Sequence, residues 1–383
     1  MKVVVALDSF KGCLSSAEAG DAARVGVLAA VPGADVRVVP VADGGEGTVD
    51  ALLAAVAGQR VEASTVDALG RPVTAAYALL PDGTAVVEAA SCVGPAQVGP
   101  VDATLPPRAG SAGVGLLVRH AVDAGARRVA VALGGTACTD GGAGLLIALG
   151  ARVSDADGRP VPAAGVNPLW SPCALDPSSL PDLGDVGLLV LTDVDSPLHG
   201  PAGAAHVFAP QKGATAVQVR HLDDRLAAWG AALAAAGRPV ADLPGAGAAG
   251  GLGAALLALG ARREPGFAFV ARAAGLADAL VGADLVLTGE GRVDGQTAHG
   301  KAPAGVAALA RDAGAVVVAL AGSVARGGDP GATAPFDAVL AVQSGPRPLA
   351  EALDPGIASD ELAATAGEVA RLVRAAGRHH SRG

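Results

Sequence analysis

The sequence has few aromatic residues and no excess of basic ones. Aromatic side chains make up 2% of its 383 residues, and 28 Lys and Arg stand against 37 Asp and Glu, a formal net charge of −9. Proteins that bind nucleic acid usually present a basic stripe with interleaved aromatic side chains. The composition therefore predicts no nucleic-acid partner. An anionic substrate has to be bound by a few placed cations rather than by the overall field.

Cysteine is also scarce. The four cysteines, Cys13, Cys92, Cys138 and Cys173, are far apart and include no C-x-x-C pair. This distribution indicates neither a disulfide framework nor a zinc site, and it is typical of a reducing compartment. The sequence shows neither a signal-peptide core nor a run of about 18 uncharged apolar residues. We therefore expect a cytoplasmic location and no membrane contact.

Several catalytic motifs are missing as well. The Walker A pattern G-x-x-x-x-G-K-[ST] is absent, which excludes an ordinary P-loop nucleotide enzyme. No G-x-S-x-G nucleophile elbow occurs, and the histidines show no metal-ligand spacing. These absences count against hydrolases and against soft-metal sites.

The residues that are abundant predict an α/β protein. Hydrophobic residues make up 51% of the chain, and its 55 Gly and 26 Pro fall between short apolar runs. Such a distribution is typical of many short loops rather than of disorder. A chain of this length is also too long for one ordinary core, which favours two domains.

Two different patterns divide the chain. Strand-like runs at residues 3–7 and 36–41 are each followed by a loop and a helical pattern, and this alternation returns after residue 283. Strand-helix alternation predicts a parallel sheet. Residues 60–90 instead contain alternating segments joined by tight turns, which is typical of an antiparallel meander.

We therefore predict an α/β fold with two α/β domains, one inserted in the other. The first is a discontinuous Rossmann-like domain with a parallel sheet, at residues 1–60 and 270–383. The second is a mixed-sheet α/β domain at residues 61–269.

Polar residues gather in the loops after the predicted strands of the first domain. They are Asp8, Ser9 and Lys11 after the first strand, Asp43 and Glu46 after the second, and Glu290, Asp294 and Lys301 after the strand at 283–288. Open α/β sheets bind ligands beyond the carboxyl ends of their strands. Glycine-rich loops let backbone N–H groups approach an anion. The loop that carries Glu290 and Asp294 therefore suits Mg²⁺ and phosphate; the alternative is a solvated turn with incidental charges.

The inserted domain contains similar loops. Gly134, Gly135 and Asp140 follow one predicted strand, Asp193 and Asp195 follow another, and Lys212 stands in a Gly-containing loop. One aspartate of the 193/195 pair can coordinate Mg²⁺ while the other orients or deprotonates a hydroxyl. The alternative for this pair is an Asx-type turn before Pro197.

The segment GAGAAG at residues 245–250 matches the dinucleotide pattern G-x-G-x-x-G through Gly245, Gly247 and Gly250. No convincing strand precedes it, and no acidic residue stands in a ribose-binding position. Two other interpretations stay open. The segment is either a helix N-terminus whose free N–H groups receive a phosphate, or a site of close helix packing.

The combined inventory is one of glycine-rich loops, loop carboxylates and a few lysines. It lacks a nucleophile and a soft-metal site. Phosphoryl transfer needs these parts because its catalysis is mostly positioning and charge neutralisation.

The loop motifs resemble those of the bacterial glycerate kinase family, in the same order and over nearly the whole chain. They are DSFKG (8–12), ADGGEGT (42–48), GGTACTDGGAG (134–144), DVDSPLHG (193–200), PQKGA (210–214), PGAGAAGGLGAAL (244–256) and TGEGRVDGQTAHGK (288–301). The resemblance implies two α/β domains, one inserted in the other. It also implies transfer of the γ-phosphate of ATP to D-glycerate with Mg²⁺, in many members giving 2-phosphoglycerate. The expected partners are glycerate and a nucleotide, and a homodimer is one assembly open to the chain.

The resemblance, together with the loop positions, leads to a set of expected site residues. They are Asp193, Lys11 and Lys301 for catalysis; Asp8, Ser9, Asp43, Glu46 and Lys212 for the substrate; Gly245, Gly247, Gly250, Gly134, Gly135 and Asp140 for the cofactor ATP; and Glu290 and Asp294 for the metal. The chain departs from the family pattern at Leu7, usually Pro, and at Cys13, often Ser. The segment 109–117 also lacks the family's polar Thr and Glu.

Two alternatives in other functional classes remain at this point. One is a non-catalytic α/β module that binds a nucleotide or an acid. The other is a nicotinamide-dependent oxidoreductase, which rests on the GAGAAG segment alone.

Overall fold

The structure is a computed structural model, which describes residues 1–295, 297, 301–325 and 333–380. Within these residues, no helix combines the length and the apolar character needed to cross a membrane. The elements alternate between strands and helices along most of the chain. This alternation confirms the predicted α/β class.

The strands are β1 (Lys2–Leu7), β2 (Asp35–Val38), β3 (Gln59–Val66), β4 (Pro72–Leu79), β5 (Thr84–Glu88), β6 (Arg128–Ala132), β7 (Val153–Asp155), β8 (Cys173–Leu175), β9 (Gly187–Leu191), β10 (Arg262–Glu264), β11 (Leu285–Val293), β12 (Val316–Val324) and β13 (Ala338–Ala341). The helices are α1 (Ser16–Ala30), α2 (Thr48–Ala55), α3 (Ala90–Val93), α4 (Pro95–Val98), α5 (Ala112–Asp123), α6 (Ala143–Leu149), α7 (Ala204–Phe208), α8 (Ala216–Ala235), α9 (Ala248–Ala258), α10 (Gly266–Ala273), α11 (Leu276–Leu280), α12 (Ala302–Asp312), α13 (Leu349–Ala352) and α14 (Pro355–His380).

The chain forms two compact units. Unit 1 contains Met1–Asp43, Asp50–Ala57 and Pro265–Gly383, and unit 2 contains Gly44–Val49 and Gly58–Glu264. Unit 1 is therefore discontinuous in sequence. The domain boundaries near residues 60 and 270 remain a prediction from the sequence.

Unit 1 is built on a parallel sheet with the strand order β13–β12–β11–β1–β2. Successive side chains of a strand point to opposite faces. Val3, Val5 and Leu7 accordingly join one hydrophobic cluster, whereas Val4 and Ala6 join another. Both faces of β1 are thus covered, which explains why the strand is a continuous apolar run rather than an alternating one.

The helix α1 packs beside α14 on one face of this sheet. It begins with a capping box, in which the Ser15 side chain accepts from the Glu18 N–H and the Glu18 carboxylate accepts from the Ser15 N–H. Such caps satisfy backbone N–H groups that a helix start leaves unpaired. The opposite face is covered in part by α12, which buries Val306 and Ala310.

The order of the strands creates a switch point between β1 and β11. From β1 the chain proceeds through α1 to β2 on one side, and from β11 it proceeds through α12 to β12 on the other. In open α/β sheets a crevice for ligands opens at this point, beyond the carboxyl ends of the strands. Asp8 directly follows β1, and Glu290 lies near the end of β11.

Unit 2 contains a mixed sheet with the strand order β10–β9–β6–β5–β4–β3. The pairs from β10 to β5 are parallel, and the pairs β5–β4 and β4–β3 are antiparallel. The antiparallel part is the predicted meander. The core of unit 2 includes the fully buried Trp229 of α8, whose Nε1 donates to the Gly141 carbonyl at 3.0 Å.

The end of β11 differs from the prediction. The sequence predicted a strand that stops near residue 288 and a loop that carries Glu290, but β11 continues to Val293 and its pairing with β12 extends to that residue. The prediction was wrong because the glycines were taken as loop residues. A Cβ on Gly289 would lie 1.8 Å from the Leu320 carbonyl oxygen. Glycine is therefore required here for the two strands to stay paired.

Candidate active site

A cavity of about 430 Å³ lies at the carboxyl ends of the unit 1 strands. Each of four strands contributes to its lining: Asp8 and Ser9 follow β1, Glu290 and Gly291 belong to β11, Gly322 and Ser323 to β12, and Val342 and Gln343 follow β13. Lys11, Asp43, Asp294 and Lys301 also line it. The structure thus brings together most of the residues predicted for the first domain, at the place where ligands of such sheets bind.

Asp8 is held rigidly at the cavity floor. Its backbone N–H donates to the Gly289 carbonyl at 2.9 Å, and its carboxylate accepts from the Ser9 N–H at 2.7 Å. Burial raises the pKa of Asp8 from 3.8 to about 7, with repulsion from Asp43 and Glu290 adding to the rise and the Ser9 N–H and Lys11 opposing it. A carboxyl group with such a pKa can exchange a proton near neutral pH.

Glu290 is buried and has two polar partners. Its Oε1 accepts from the Thr297 hydroxyl at 2.7 Å, and its Oε2 lies 3.2 Å from the Lys301 ammonium group. Lys301 occupies the N-cap position of α12. Each oxygen of the Glu290 carboxylate therefore has a polar partner that orients it, and the Lys301 ammonium group lies beside it in the lining of the cavity.

Asp294 lies just beyond β11. Its backbone N–H donates to the same Thr297 hydroxyl at 3.0 Å, and its carboxylate lies 3.4 Å from the Arg292 guanidinium. Thr297 consequently connects the backbone at Asp294 with the Glu290 carboxylate. Residues 296 and 298–300 of the motif lie outside the described residues.

Lys11 sits in a tight turn after β1. The turn is closed by two backbone hydrogen bonds between Phe10 and Leu14, of 2.8 and 3.0 Å. Gly12 within it has φ +74°, a conformation that favours glycine. Lys11 is exposed yet lines the cavity, so its ammonium group has room to meet an anion there. Glu46 is exposed and belongs to unit 2.

The metal prediction can be tested against the donors present. Among the residues that the structure describes, no three His, Cys, Asp or Glu side chains form a group that could hold a metal ion. Mg²⁺, however, usually keeps several waters and is bound through one or two carboxylates together with substrate phosphates. The repulsion that Asp43 and Glu290 exert on the buried Asp8 carboxylate fits a cation that arrives with phosphate.

Asp140, which was predicted to contact the cofactor, lies inside unit 2. Its side chain is fully buried and accepts from the Ser111 N–H and hydroxyl at 2.8 Å each, from the Gly142 N–H at 3.1 Å and from the Gly144 N–H at 3.2 Å. Burial raises the pKa of Asp140. These bonds tie the starts of α5 and α6 together, so Asp140 organises the loop from within.

Lys212 is also buried, which the sequence did not predict. Its ammonium group donates to the Thr136 hydroxyl at 3.0 Å and to the Cys138 carbonyl at 2.7 Å, and burial lowers its pKa. Lys212 therefore supports the loop that begins at Gly134 and Gly135. A Cβ on Gly134 would lie 2.5 Å from the Gly45 Cα, so a close backbone approach requires this glycine.

The GAGAAG segment is a packing site. A Cβ on Gly247 would lie 2.2 Å from the Pro197 carbonyl oxygen, and one on Gly250 would lie 2.2 Å from that of Cys138. Residues 249–251 have positive φ values, so regular helix begins only after them. No strand precedes the segment. The oxidoreductase alternative therefore loses the feature on which it rested, and close packing is the interpretation that the contacts favour.

Asp193 and Asp195 follow β9 in unit 2. Asp195 is 79% exposed and lies 2.7 Å from the Arg263 guanidinium. Asp193 is half-buried. The two aspartates therefore differ in exposure although only one residue separates them.

Some residues of the cavity were missed from the sequence. Ser323 stands at the end of β12, where the succession of an apolar strand, Gly322 and a polar residue was a usable signal. Arg347 and Glu361 line the cavity as an ion pair. The apolar side chains of α13 also line it, and no sequence pattern pointed to them.

Known proteins resemble this chain over most of its length. The model of the glycerate kinase family matches residues 3–374. A glycerate kinase of Bacillus subtilis is 42% identical over 380 residues, which cover 98% of each chain. A glycerate 2-kinase of Escherichia coli is 41% identical over 330 residues, 85% of this chain and 86% of its own.

A solved structure agrees with these matches. It is the crystal structure of a Salmonella typhimurium LT2 protein provisionally assigned as glycerate kinase 2, with a TM-score of 0.84, 41% identity and coverage of 99% of both chains. It thereby supports the division into a parallel sheet and a separate mixed sheet. The chain belongs to the glycerate kinase family and is an enzyme of the phosphotransferase class.

Proposed function

We propose that this enzyme transfers the γ-phosphate of ATP to a hydroxyl of D-glycerate with the help of Mg²⁺, giving 2-phosphoglycerate. The observation that carries the proposal is the group at the switch point of unit 1. There the buried carboxylates Asp8 and Glu290 line one cavity with the ammonium group of Lys301. The names of the relatives point to the same acceptor.

The chemistry of phosphoryl transfer accounts for the roles that we assign. Little covalent chemistry is left to the protein, so catalysis consists of positioning and charge stabilisation. Lys301 supplies positive charge for the transferred phosphoryl group. Glu290 and Asp294 would hold Mg²⁺, which neutralises phosphate charge when it is bound. Lys301 lies beside Glu290, so a cation and a carboxylate face the same ligand.

Glycerate offers a carboxylate and two hydroxyl groups. Lys11 is placed to bind the carboxylate, while Asp8 and Ser9 provide an acceptor and a hydroxyl for its alcohol groups. Attack on phosphorus also requires that the attacking hydroxyl lose its proton. Asp193 is the base predicted from the sequence, and the pKa of about 7 makes Asp8 a second candidate for this step.

The proposal is tested by incubating the purified protein with ATP, Mg²⁺ and D-glycerate and measuring release of ADP. ADP release that depends on D-glycerate supports the proposed reaction, and a lack of such release contradicts it. Phosphorus NMR of the product identifies the hydroxyl. A phosphate on C2 couples to one methine proton and gives a doublet, whereas a phosphate on C3 couples to two methylene protons and gives a triplet.

A further inference from the structure

The lining of the unit 1 cavity contains two chemically different sets of residues. One set is the switch-point group described above. The other set is Phe10, Val342, Leu349, Leu353 and Ile357, which we call the apolar wall. Four of these five residues follow β13 in sequence, and Phe10 follows β1. Most of the apolar wall thus comes from the segment that follows β13.

Two residues of the apolar wall are unusually open to solvent. Leu349 is 73% exposed and Leu353 is 39% exposed, at the start of α13 and just after its end. Apolar area in contact with water is unfavourable, and it is removed when a ligand covers it. Single exposed apolar side chains are common on protein surfaces. Leucines that line one concave cavity, however, indicate a ligand with an apolar surface.

Glycerate does not fit the apolar wall. Its carboxylate and two hydroxyl groups cover a three-carbon chain, so it has little apolar surface to bury. The cavity of about 430 Å³ also falls in the range of roughly 300–1,000 Å³ that encloses much larger, drug-sized ligands. A ligand that matches both sets of lining residues combines a flat apolar ring system with several negative charges.

We propose that the apolar wall binds the nucleobase of the phosphate donor. The identification of that donor as ATP rests on the proposed function. Aliphatic side chains pack on the faces of the adenine ring, and the phosphates extend toward Lys301 at the switch point. Gln343, which follows β13 and lines the same cavity, carries an amide donor and acceptor suited to the polar edge of the ring.

The experiment measures binding in the absence of turnover. Calorimetric titrations use three probes: adenylyl imidodiphosphate, which is not hydrolysed; inorganic tripolyphosphate, which has phosphates and no base; and D-glycerate. The variants are Leu349→Ser and Leu353→Ser. The matched control is Leu372→Ser on α14, because Leu372 is 71% exposed and does not line the cavity.

We expect each cavity variant to weaken binding of adenylyl imidodiphosphate by about tenfold, the change that accompanies loss of one well-packed apolar contact. Binding of tripolyphosphate and of D-glycerate should stay unchanged. The control Leu372→Ser should bind all three probes as the wild type does. Thermal melting checks that each variant is folded. If Leu353→Ser does not fold, Leu353→Ala is measured in its place.

Other outcomes overturn the proposal. Weaker binding of D-glycerate alone assigns the apolar wall to the acceptor. An equal loss of affinity for tripolyphosphate would show that the substitutions act on phosphate binding. Unchanged affinity for adenylyl imidodiphosphate would show that the apolar wall does not bind the nucleobase. If the wild type binds the nucleotide as described but releases no ADP with D-glycerate, the proposed function fails while the nucleobase site stands.

Discussion

The ammonium group of Lys301 lies 3.2 Å from Oε2 of Glu290. The Lys301 side chain is 27% exposed and that of Glu290 10% exposed, so the pair is only partly screened by solvent. A charge pair in such a place depends on both partners, because loss of one leaves the other buried and uncompensated. The pair thus presents a positive and a negative group to the same ligand.

The first prediction concerns the proposed metal ligands. Glu290→Gln or Asp294→Asn should raise the Mg²⁺ concentration needed for half-maximal activity and lower kcat by at least about a hundredfold, because phosphate charge is left uncompensated. Steady-state rates over a Mg²⁺ titration provide the measurement. Glu368→Gln, at an exposed pair with Arg371 on α14, is the control. Wild-type metal dependence in both cavity variants would contradict the assignment.

The second prediction concerns Asp8 and the pH dependence of stability. Its pKa is about 7 in the folded protein and 3.8 as the reference value, so the folded state binds the proton more tightly. The resulting stability is present below about pH 4 and is lost as the pH rises through 7. Asp8→Asn removes this dependence. We expect it to unfold at a higher temperature than the wild type at pH 8, and to show no such advantage at pH 4.

The size of this effect is bounded by the pKa difference. At 1.36 kcal/mol per pKa unit, the change from 3.8 to about 7 corresponds to about 4 kcal/mol at most. Thermal melts without Mg²⁺ from pH 4 to pH 8 measure it. Parallel curves for the wild type and Asp8→Asn would show that burial of Asp8 carries no penalty.

The third prediction concerns Lys11. Its exposed ammonium group is proposed to bind the carboxylate of glycerate, so Lys11→Met should raise the KM for glycerate far more than the KM for ATP. Arg24→Met, which removes an exposed cation of α1 paired with Asp21, should leave both values unchanged. A change in the KM for ATP alone would instead assign this turn to the nucleotide.

The fourth prediction concerns Asp140. Removing its carboxylate leaves buried donors of Ser111, Gly142 and Gly144 without an acceptor, and each such group costs about 1–3 kcal/mol. Asp140→Ala should therefore lower the midpoint of denaturant unfolding strongly, and Asp140→Asn less so. The folded fraction should keep the KM for ATP of the wild type. A large rise in that KM at unchanged stability would restore the predicted cofactor contact.

Local sequence patterns predicted much of the fold. The apolar run before Asp8 corresponds to β1, and the strand predicted before Asp193 corresponds to β9, because strands buried on both faces have to be continuously apolar. The end of β11 was missed because Gly289 has two possible uses. A glycine can break a strand or permit close approach of a neighbour, and only the position of Leu320 decides between them.

Part of the candidate site could also be predicted from local sequence patterns. Residues at the ends of parallel strands meet at one edge of the sheet, so Asp8 and Glu290 could be grouped from the sequence. Asp140 and Lys212 also stand in glycine-containing loops of the sequence, yet both are buried inside unit 2. Burial depends on which segments pack over a loop. The apolar wall has no local signal at all, since Leu349 belongs to a helix of four residues.

The last prediction concerns the catalytic base. Asp193 stands two residues after β9, so the end of a buried strand fixes the backbone close to it. Asp193→Asn keeps the shape of the side chain and removes its charge. Folding and nucleotide binding should survive, while turnover falls by about two to four orders of magnitude. Asp195→Asn is a close control, because Asp195 is exposed and paired with Arg263; it should keep turnover within about threefold of the wild type.

The competing candidate gives this experiment a second arm. If Asp8 takes the proton, Asp8→Asn loses turnover while Asp193→Asn keeps it. The wild-type kcat/KM should then fall below a pH near 7, because the free enzyme would have to lose the Asp8 proton before it can act as a base. If Asp193 is the base, the rate profile of Asp193→Asn loses an acid limb that the wild type shows. Near-normal turnover in Asp193→Asn together with lost turnover in Asp8→Asn would therefore assign the proton transfer to Asp8 instead of Asp193.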